Sequence, residues 1–471
     1  MNAKKLTKIV ATISDRNCEP EFLKQLFEAG VNVVRLNTAH QGPEESAKVV
    51  ANVRKVSDTT GILVDTKGPE VRVRDLEEPL ELKAGETVTI PKVDEVRKGF
   101  NVSYAGFTAE VPIGSRILMD DGGIEILVKN AANGMLLCEV QNDGVLKNRK
   151  NVNVPNVGLR VPSLSEKDRL FLKFVADNDI DFVAHSFVRN KEDVQEVRRI
   201  LDSHGSKAKI IAKIENGQGV TNLPEILDFA DGAMVARGDL GVEIPFERLP
   251  GIQKTIIEAC VRKGKPVITA TQMLHTMIEN PRPTRAEVSD VANAVFDGTD
   301  ALMLSGETAF GKYPLEAVRT MARIAVQAES QKPRREAIVS EATPNRVRDY
   351  MARSVALSAL QLPIKAIIAD TESGRIARLI SSYRSHVPIY AFSPQMATVR
   401  ALSLTFGVFS EQSDAPNTTD QLVSRSLESL VARGAVEEED LVAIIGGTPG
   451  QSETTNFIEI NTAASCLGQK A

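Results

Sequence analysis

Apolar residues along this chain follow two periods in turn. Short Val/Ile/Leu/Ala runs have the composition of parallel strands buried on both faces. Between them lie stretches with apolar residues three and four apart, the mark of an amphipathic helix. KIVATIS (residues 8–14) reads as a strand, and the next stretch puts Phe22, Leu23, Leu26 and Phe27 on one helical face, with Gly30 at the stop position. VNVVRLN (31–37), a helix through 46–56 and GILVDTKGPEVR continue the alternation. From 73 to 162 the helical period vanishes, leaving short β-like runs such as LELKAGETVTIP and SRILMDDGGIEILV. It returns at SLSEKDRLFLKFVADND, where Ser163 or Ser165 can cap.

Outside the β-rich stretch, eight strands begin at Lys8, Val31, Gly61, Asp181, Lys209, Ala233, Pro266 and Ala301, each with a helix after it. That pattern predicts an α/β fold built on a closed (β/α)8 TIM barrel. Residues 1–72 and 163–335 form the barrel, and 73–162 an inserted all-β, barrel-like lid. A polar segment (330–349) leads to a C-terminal three-layer α/β domain over 345–471, with strands KAIIAD, VPIYAFS, LVAIIGG and NFIEI.

Active sites in such barrels sit at the carboxyl ends of the strands. Here those ends carry Asn37, Asp65, Ser186, Lys213, Glu215, Asp239, Thr271 and Glu307. Residues 209–245 concentrate the chemistry. Two strands end in Lys213 and Glu215, and in Arg237 and Asp239, which a strand–helix–strand unit would bring to one rim. Two carboxylates there suit a hard divalent cation, and a lysine suits a developing phosphoryl charge. A structural ion-pair cluster explains the four residues equally well.

Composition removes other classes. The 471 residues carry a net charge of −5, which offers no nucleic-acid face. No run approaches the ~20 apolar residues of a membrane span, and the apolar stretch near the N-terminus is too short for a signal peptide. Cys18, Cys138, Cys260 and Cys466 are scattered without a CxxC, and the five histidines show no ligand spacing. This fits a reducing cytoplasm and no structural zinc.

Over nearly its whole length the chain resembles the pyruvate kinase family. The motifs are RLN…H (35–40), LVDTKGPEVR (63–72), IAKIENGQG (211–219), MVARGDLGVEIP (234–245), TATQML (269–274), the long run 280–314, and TESGR (371–375). The resemblance implies phosphoryl transfer from phosphoenolpyruvate to ADP, giving pyruvate and ATP, in a cytoplasmic homotetramer. Glu215 and Asp239 match the Mg²⁺ (or Mn²⁺) ligands. Lys213 matches the residue on the transferring phosphoryl and Arg35 one at the phosphate. Gly238, Asp239 and Thr271 match the substrate-carboxylate side. Arg72, Lys150 and His40 match nucleotide contacts, and Ser305 and Glu307 supporting residues. K⁺ ligands match Asn37, Asp65 and Thr66, with Glu70 where K⁺-dependent members have glutamate. Thr371, Ser373, Gly374 and Arg375 match a loop that holds a sugar-phosphate effector.

The chain departs from the family at Ser14-Asp15, at Thr38-Ala39 (Phe-Ser in the family), at Asn151 and Asn156 in the lid, and at Ile376, where regulated members have a second serine. Ala39 lacks a hydroxyl that would serve K⁺. Ile376 predicts a weak or altered response to fructose 1,6-bisphosphate, with a different sugar phosphate or none as effector. Two other readings compete: a silent paralogue that binds phosphorylated metabolites, and a barrel lyase working on pyruvate enolate. The first has no need of Lys213, Glu215, Asp239, Arg35 and Thr271 together; the second needs no nucleotide lid.

Overall fold

The computed structural model describes residues 4–92, 98–332, 346–448 and 455–468. Eight parallel strands close a barrel: β1 (Lys8–Thr12), β2 (Val33–Asn37), β3 (Gly61–Asp65), β4 (Phe182–His185), β5 (Lys209–Ile214), β6 (Gly232–Ala236), β7 (Val267–Ala270) and β8 (Ala301–Leu304). Each pairs with its sequence neighbours, and β1 closes on β8. Four starts differ from the sequence reading by one or two residues, at Val33, Phe182, Gly232 and Val267, a scatter ordinary for element ends.

Alternation along each strand sorts side chains into two cores. One parity, including Ile9, Val34, Ile62, Val183, Ile210 and Val235, faces the surrounding helices in the largest buried cluster. The other, including Val10, Val33, Leu63, Ala184, Ile211, Met234 and Ile268, fills the barrel interior. The interior is therefore a packed core, not a pore. Helix caps agree with the sequence: Ser165 caps Glu166–Asp177 by accepting from the Asp168 amide, and Thr284 caps Arg285–Asp297 through Glu287.

The lid interrupts the barrel between β3 and the helix Glu166–Asp177. Its largest sheet has five antiparallel strands, and it adds one short helix, Phe107–Glu110, that the sequence pattern did not suggest. It has its own core around Val88, Phe100, Phe107, Ile117, Ile126 and Leu136. The C-terminal unit has a five-stranded sheet in spatial order β11-β10-β9-β12-β13: β9 (Ile364–Asp370), β10 (Ile389–Ser393), β11 (Val408–Gln412), β12 (Leu441–Gly446) and β13 (Phe457–Thr462). Only β13 runs antiparallel to its neighbour. Separate apolar clusters lie on its two faces, which makes three layers. Most of the linking segment, residues 333–345, lies outside the described residues.

The C-terminal unit plugs the foot of the barrel. Leu404 joins the barrel-interior cluster. The buried Lys8 Nζ donates to Val408 O at 2.5 Å. Asp300, at the start of β8, accepts from the Val267 amide, the Phe406 amide (2.9 Å) and the Arg384 guanidinium (2.6 Å). With the foot closed, the open end is the one where the strands terminate.

Candidate active site

The inward parity that fills the core with Val33, Leu63 and Ile211 continues upward to Arg35, Asp65 and Lys213. These side chains form a polar layer on top of the apolar one. Arg35 Nε donates to Asp65 Oδ2 at 2.7 Å, and its Nη1 to Thr12 Oγ1 at 2.9 Å. Lys213 Nζ lies 3.0 Å from Asp65 Oδ1, 2.9 Å from Glu215 Oε1 and 2.7 Å from Ser186 Oγ. Asp65 and Glu215 are about fully buried, at 1% and 0% exposure, so each must be paired or shift its titration.

Both occur. Burial alone would raise the Asp65 pKa, but Lys213 and Arg35 outweigh it and hold the carboxylate below its ordinary range. Burial alone would lower that of Lys213, but Asp65 and Glu215 outweigh it and hold the ammonium charged. Glu215 goes the other way. Burial pushes its carboxyl up to about 7, Lys213 opposes this, and the charge of Asp239 adds to it. Asp239 is likewise raised, first by burial, against Lys213. Two buried carboxyls whose charged forms are disfavoured are suited to a cation.

Backbone geometry holds the layer in place. The Phe187 amide donates to Glu215 Oε2 at 2.6 Å from a left-handed conformation (φ 54°). Glu215 Oε1 faces the Lys213 ammonium at 2.9 Å. Gly68 is also left-handed, and a Cβ there would come within 2.7 Å of Ser186 Cβ. Thr271 and Gln272 are both left-handed, a costly conformation for a β-branched residue. Thr271 Oγ1 accepts from the Gly238 amide at 2.8 Å and donates to Ala270 O. A Cβ on Gly238 would meet Thr271 at 3.6 Å, ordinary contact, so the ligand-free chain itself does not demand glycine there.

Arg237 departs from the expected rim. It opens the helix Arg237–Glu243 and turns outward, donating to Ala270 O, Thr271 O and Asp290 (2.8 Å). It thus braces the Thr271 turn and forms no hydrogen bond or ion pair with Lys213, Glu215 or Asp239. The ion-pair cluster foreseen as the alternative is real only in part: Lys213 does pair, but with Asp65 and Glu215 and in a layer too buried to be a surface network.

The other candidates fall into groups. Asn37 and Asp65 are register partners on β2 and β3, and Thr66 follows. Asn37 Oδ1 accepts from the Ala39 amide, while Thr66 Oγ1 accepts from the Ser186 amide. Thr38 carries a fully buried hydroxyl without a partner. Glu70 pairs with Arg72 at 2.6 Å and lies 3.9 Å from Lys67. Arg72 also reaches Arg149 O at 2.7 Å, and Lys150 pairs with Asp120 at 2.5 Å. Arg72 and Lys150 are therefore neighbours at the lid hinge, whereas His40 is exposed in the loop after β2. A cleft of about 550 Å³ runs between lid and barrel, with Glu70, Asn151, Asn153, Asp239 and Glu243 on its walls. Glu307 accepts from the Leu274 and Ser305 amides, behind the Thr271 turn.

Comparisons with known proteins show the family. The family model "Pyruvate kinase, barrel domain" matches residues 4–318, and "Pyruvate kinase, alpha/beta domain" matches residues 349–461. The pyruvate kinase of Borreliella burgdorferi is 47% identical over 98% of this chain and 98% of its own length. That of Geobacillus stearothermophilus is 45% identical over 99% of this chain and 82% of its own length, and that of Bacillus licheniformis 45% over 96% and 80%.

The chain belongs to the pyruvate kinase family.

It is thus a phosphotransferase, and its polar layer carries two buried cationic donors, Lys213 and Arg35. Sequence reasoning passed over several supports of that layer. Asp168 is wholly buried and accepts from the amides of Lys67 (2.9 Å) and Gly68, so a helix-cap residue fixes the DTKG turn from a hundred residues away. Its spacing from Ser165 showed a cap and nothing more. The Phe187 amide and Asp290 left no sequence signal, because their partners are remote in sequence. Asn153 of the lid donates to Glu243 at 2.7 Å, tying lid to barrel.

The raised Glu215 pKa yields a stability prediction. A carboxyl that titrates near 7 when folded, and near 4.3 when unfolded, favours the folded state at low pH; that contribution disappears as pH rises through 7. In metal-free buffer, the wild type should lose about 2–3 kcal/mol relative to Glu215→Gln between pH 5 and pH 8. Thermal unfolding of both proteins across that range measures it; parallel curves would show that Glu215 is not held protonated by burial.

Proposed function

We propose that this chain moves the phosphoryl group of phosphoenolpyruvate to ADP, releasing pyruvate and ATP, with Mg²⁺ (or Mn²⁺) and K⁺. What supports this reading most is the buried triad of Asp65, Lys213 and Glu215, an ammonium fixed between two acids at the mouth of a barrel. Phosphoryl transfer is chiefly a matter of alignment and charge neutralisation. Lys213 stays protonated and stands where it can meet charge on the transferring group. Arg35, held in plane by Asp65 and Thr12, offers the rest of its fork to the phosphate. Thr271 and Gly238 border the enolpyruvate side. Arg72 and Lys150 approach the nucleotide phosphates from the lid hinge, and His40, in the loop after β2, is assigned to the same ligand.

The divalent cation would be held by Glu215 and Asp239. The fit is chemical: hard oxygens on two buried carboxyls whose pKa values are raised. Among the described residues no three His, Cys, Asp or Glu side chains converge on one point, so substrate oxygens and water would complete the shell. Such an ion supplies Lewis-acid neutralisation of phosphoryl and carboxylate oxygens. For K⁺ the oxygens available are those of Asn37, Asp65 and Thr66, with the unpartnered Thr38 hydroxyl next to Ala39 as a replacement for the missing serine. The division into 1–72 with 163–335, 73–162 and 345–471, the homotetramer and the cytoplasmic location belong to the same proposal. Among the described residues no helix is long and apolar enough to cross a membrane.

The deciding assay is pyruvate formation from phosphoenolpyruvate with and without ADP. Turnover should require ADP, and Lys213→Met should lower kcat at least ~100-fold with little change in KM. ADP-independent turnover would point to a lyase, and near-normal turnover in the variant would remove Lys213 from the mechanism.

A second assay concerns K⁺, titrated at constant ionic strength against a bulky organic cation. Activity should depend on K⁺, and Ala39→Ser should tighten the apparent K⁺ affinity by less than about tenfold. Full activity without K⁺ would refute the dependence. Unchanged affinity in Ala39→Ser would assign the role to Thr38 or water.

A further inference from the structure

Three loops share one arc of the barrel's open mouth, those after β8, β1 and β2, because β1 lies between β8 and β2 in the sheet. Hydrogen bonds join them. Ser14 Oγ donates to Ala309 O at 3.0 Å, and Gln41 Nε2 donates to Ile13 O at 3.4 Å. His40, next to Gln41, is exposed on this arc. So is Phe310, directly after the helix Gly306–Ala309, with 75% of its surface open. A lone apolar side chain on a protein surface is ordinary. This one stands beyond the carboxyl ends of the strands, where such barrels bind their ligands.

Local backbone holds the ring in place. The Phe310 and Gly311 amides both donate to Gly306 O, at 3.1 and 2.9 Å, which closes the turn. A Cβ on Gly306 would come within 2.8 Å of both Phe310 Cζ and Ile278 Cδ1, so the far end of the ring rests on bare glycine backbone beside Ile278. A Cβ on Gly311 would come within 2.6 Å of Glu307 O, which keeps the turn tight. Glu307 accepts from the Leu274 and Ser305 amides and so ties this turn to the one at Thr271. The ring is braced at one end and open over the rest. With that much surface in water it adds little to the core, and the fold itself does not require a phenyl group there. A ligand that covered it would find an aromatic face already oriented, with little side-chain entropy left to lose.

We propose that Phe310 is the stacking face for the base of the nucleotide and makes this chain prefer purine over pyrimidine nucleoside diphosphates. The inference rests on the reading in which Arg72 and Lys150 take the nucleotide phosphates and His40 belongs to the same ligand. With the phosphates held at the lid hinge, a base that passes His40 runs along the arc that ends at Phe310. Every base has a π-face, so stacking alone tolerates all of them, but a two-ring purine covers more of a phenyl group than a one-ring pyrimidine does.

Steady-state kinetics of the full chain with ADP, GDP, UDP and CDP test this, on the wild type and on Phe310→Ala, Phe310→Leu and Phe310→Trp. In the wild type kcat/KM should be at least about fivefold higher for the two purine nucleotides. Phe310→Ala and Phe310→Leu should raise KM for ADP about tenfold, leave kcat and KM for phosphoenolpyruvate nearly unchanged, and bring the four nucleotides within about twofold of one another. Phe310→Trp should keep the low KM for ADP. Unchanged KM for ADP in Phe310→Ala overturns the inference. So does a Phe310→Leu variant that matches the wild type, since apolar cover would then suffice without stacking. Equal use of purines and pyrimidines by the wild type overturns the preference, and a loss spread alike over kcat and both KM values would mark a structural role instead. Absence of ADP-dependent turnover in the wild type would overturn the phosphotransfer reading, and this inference with it.

Discussion

A single ammonium group organises the catalytic end of this protein. Lys213 is held by Asp65, Glu215 and Ser186 in a layer with almost no access to water. Burying an isolated charge costs far more than any one contact returns, so the acids must be present for the lysine to stay charged. The acids in turn need fixed donors: Arg35 for Asp65, and the Phe187 amide for Glu215. The strained turns at Phe187 and Thr271 and the close approach at Gly68 are where the backbone bends to supply them. Removing one member would leave its partners buried and unmatched.

Strand parity explains why such a layer can exist. The positions that place Val33, Leu63 and Ile211 in the barrel's apolar interior place Arg35, Asp65 and Lys213 one step nearer the open end. The apolar layer excludes water from below, and the lid closes over the cleft beside Asp239. At the other end Leu404 and Asp300 seal the foot, so the polar layer opens only toward the cleft under the lid.

Much of this was legible in the sequence because it depends on local periodicity. The eight strand–helix units, the β-rich interruption and the Ser165 cap follow from residues close together in the chain. Lys213 and Glu215 could be paired from their spacing on one strand. The direction of Arg237 could not, since its partners Thr271 and Asp290 lie on other elements and a helix begins where the rim was expected to continue. Asp168 escaped for the same reason: one carboxylate serves a helix cap and a distant turn, and only the cap has a sequence signature. Protonation was equally hidden, because burial, which has no sequence signature, raises the Glu215 pKa against the opposing charge of nearby Lys213, with Asp239 adding to the rise.

The central claim is that Glu215 and Asp239 are carboxylates placed for a divalent ion and not the remains of an ion-pair cluster. Direct Mn²⁺ binding, followed by electron paramagnetic resonance in the presence of phosphoenolpyruvate, tests it without reference to turnover. The account predicts one tight Mn²⁺ per chain in the wild type, weakened at least about tenfold by Glu215→Gln and by Asp239→Asn. Unchanged Mn²⁺ binding in both variants would contradict it.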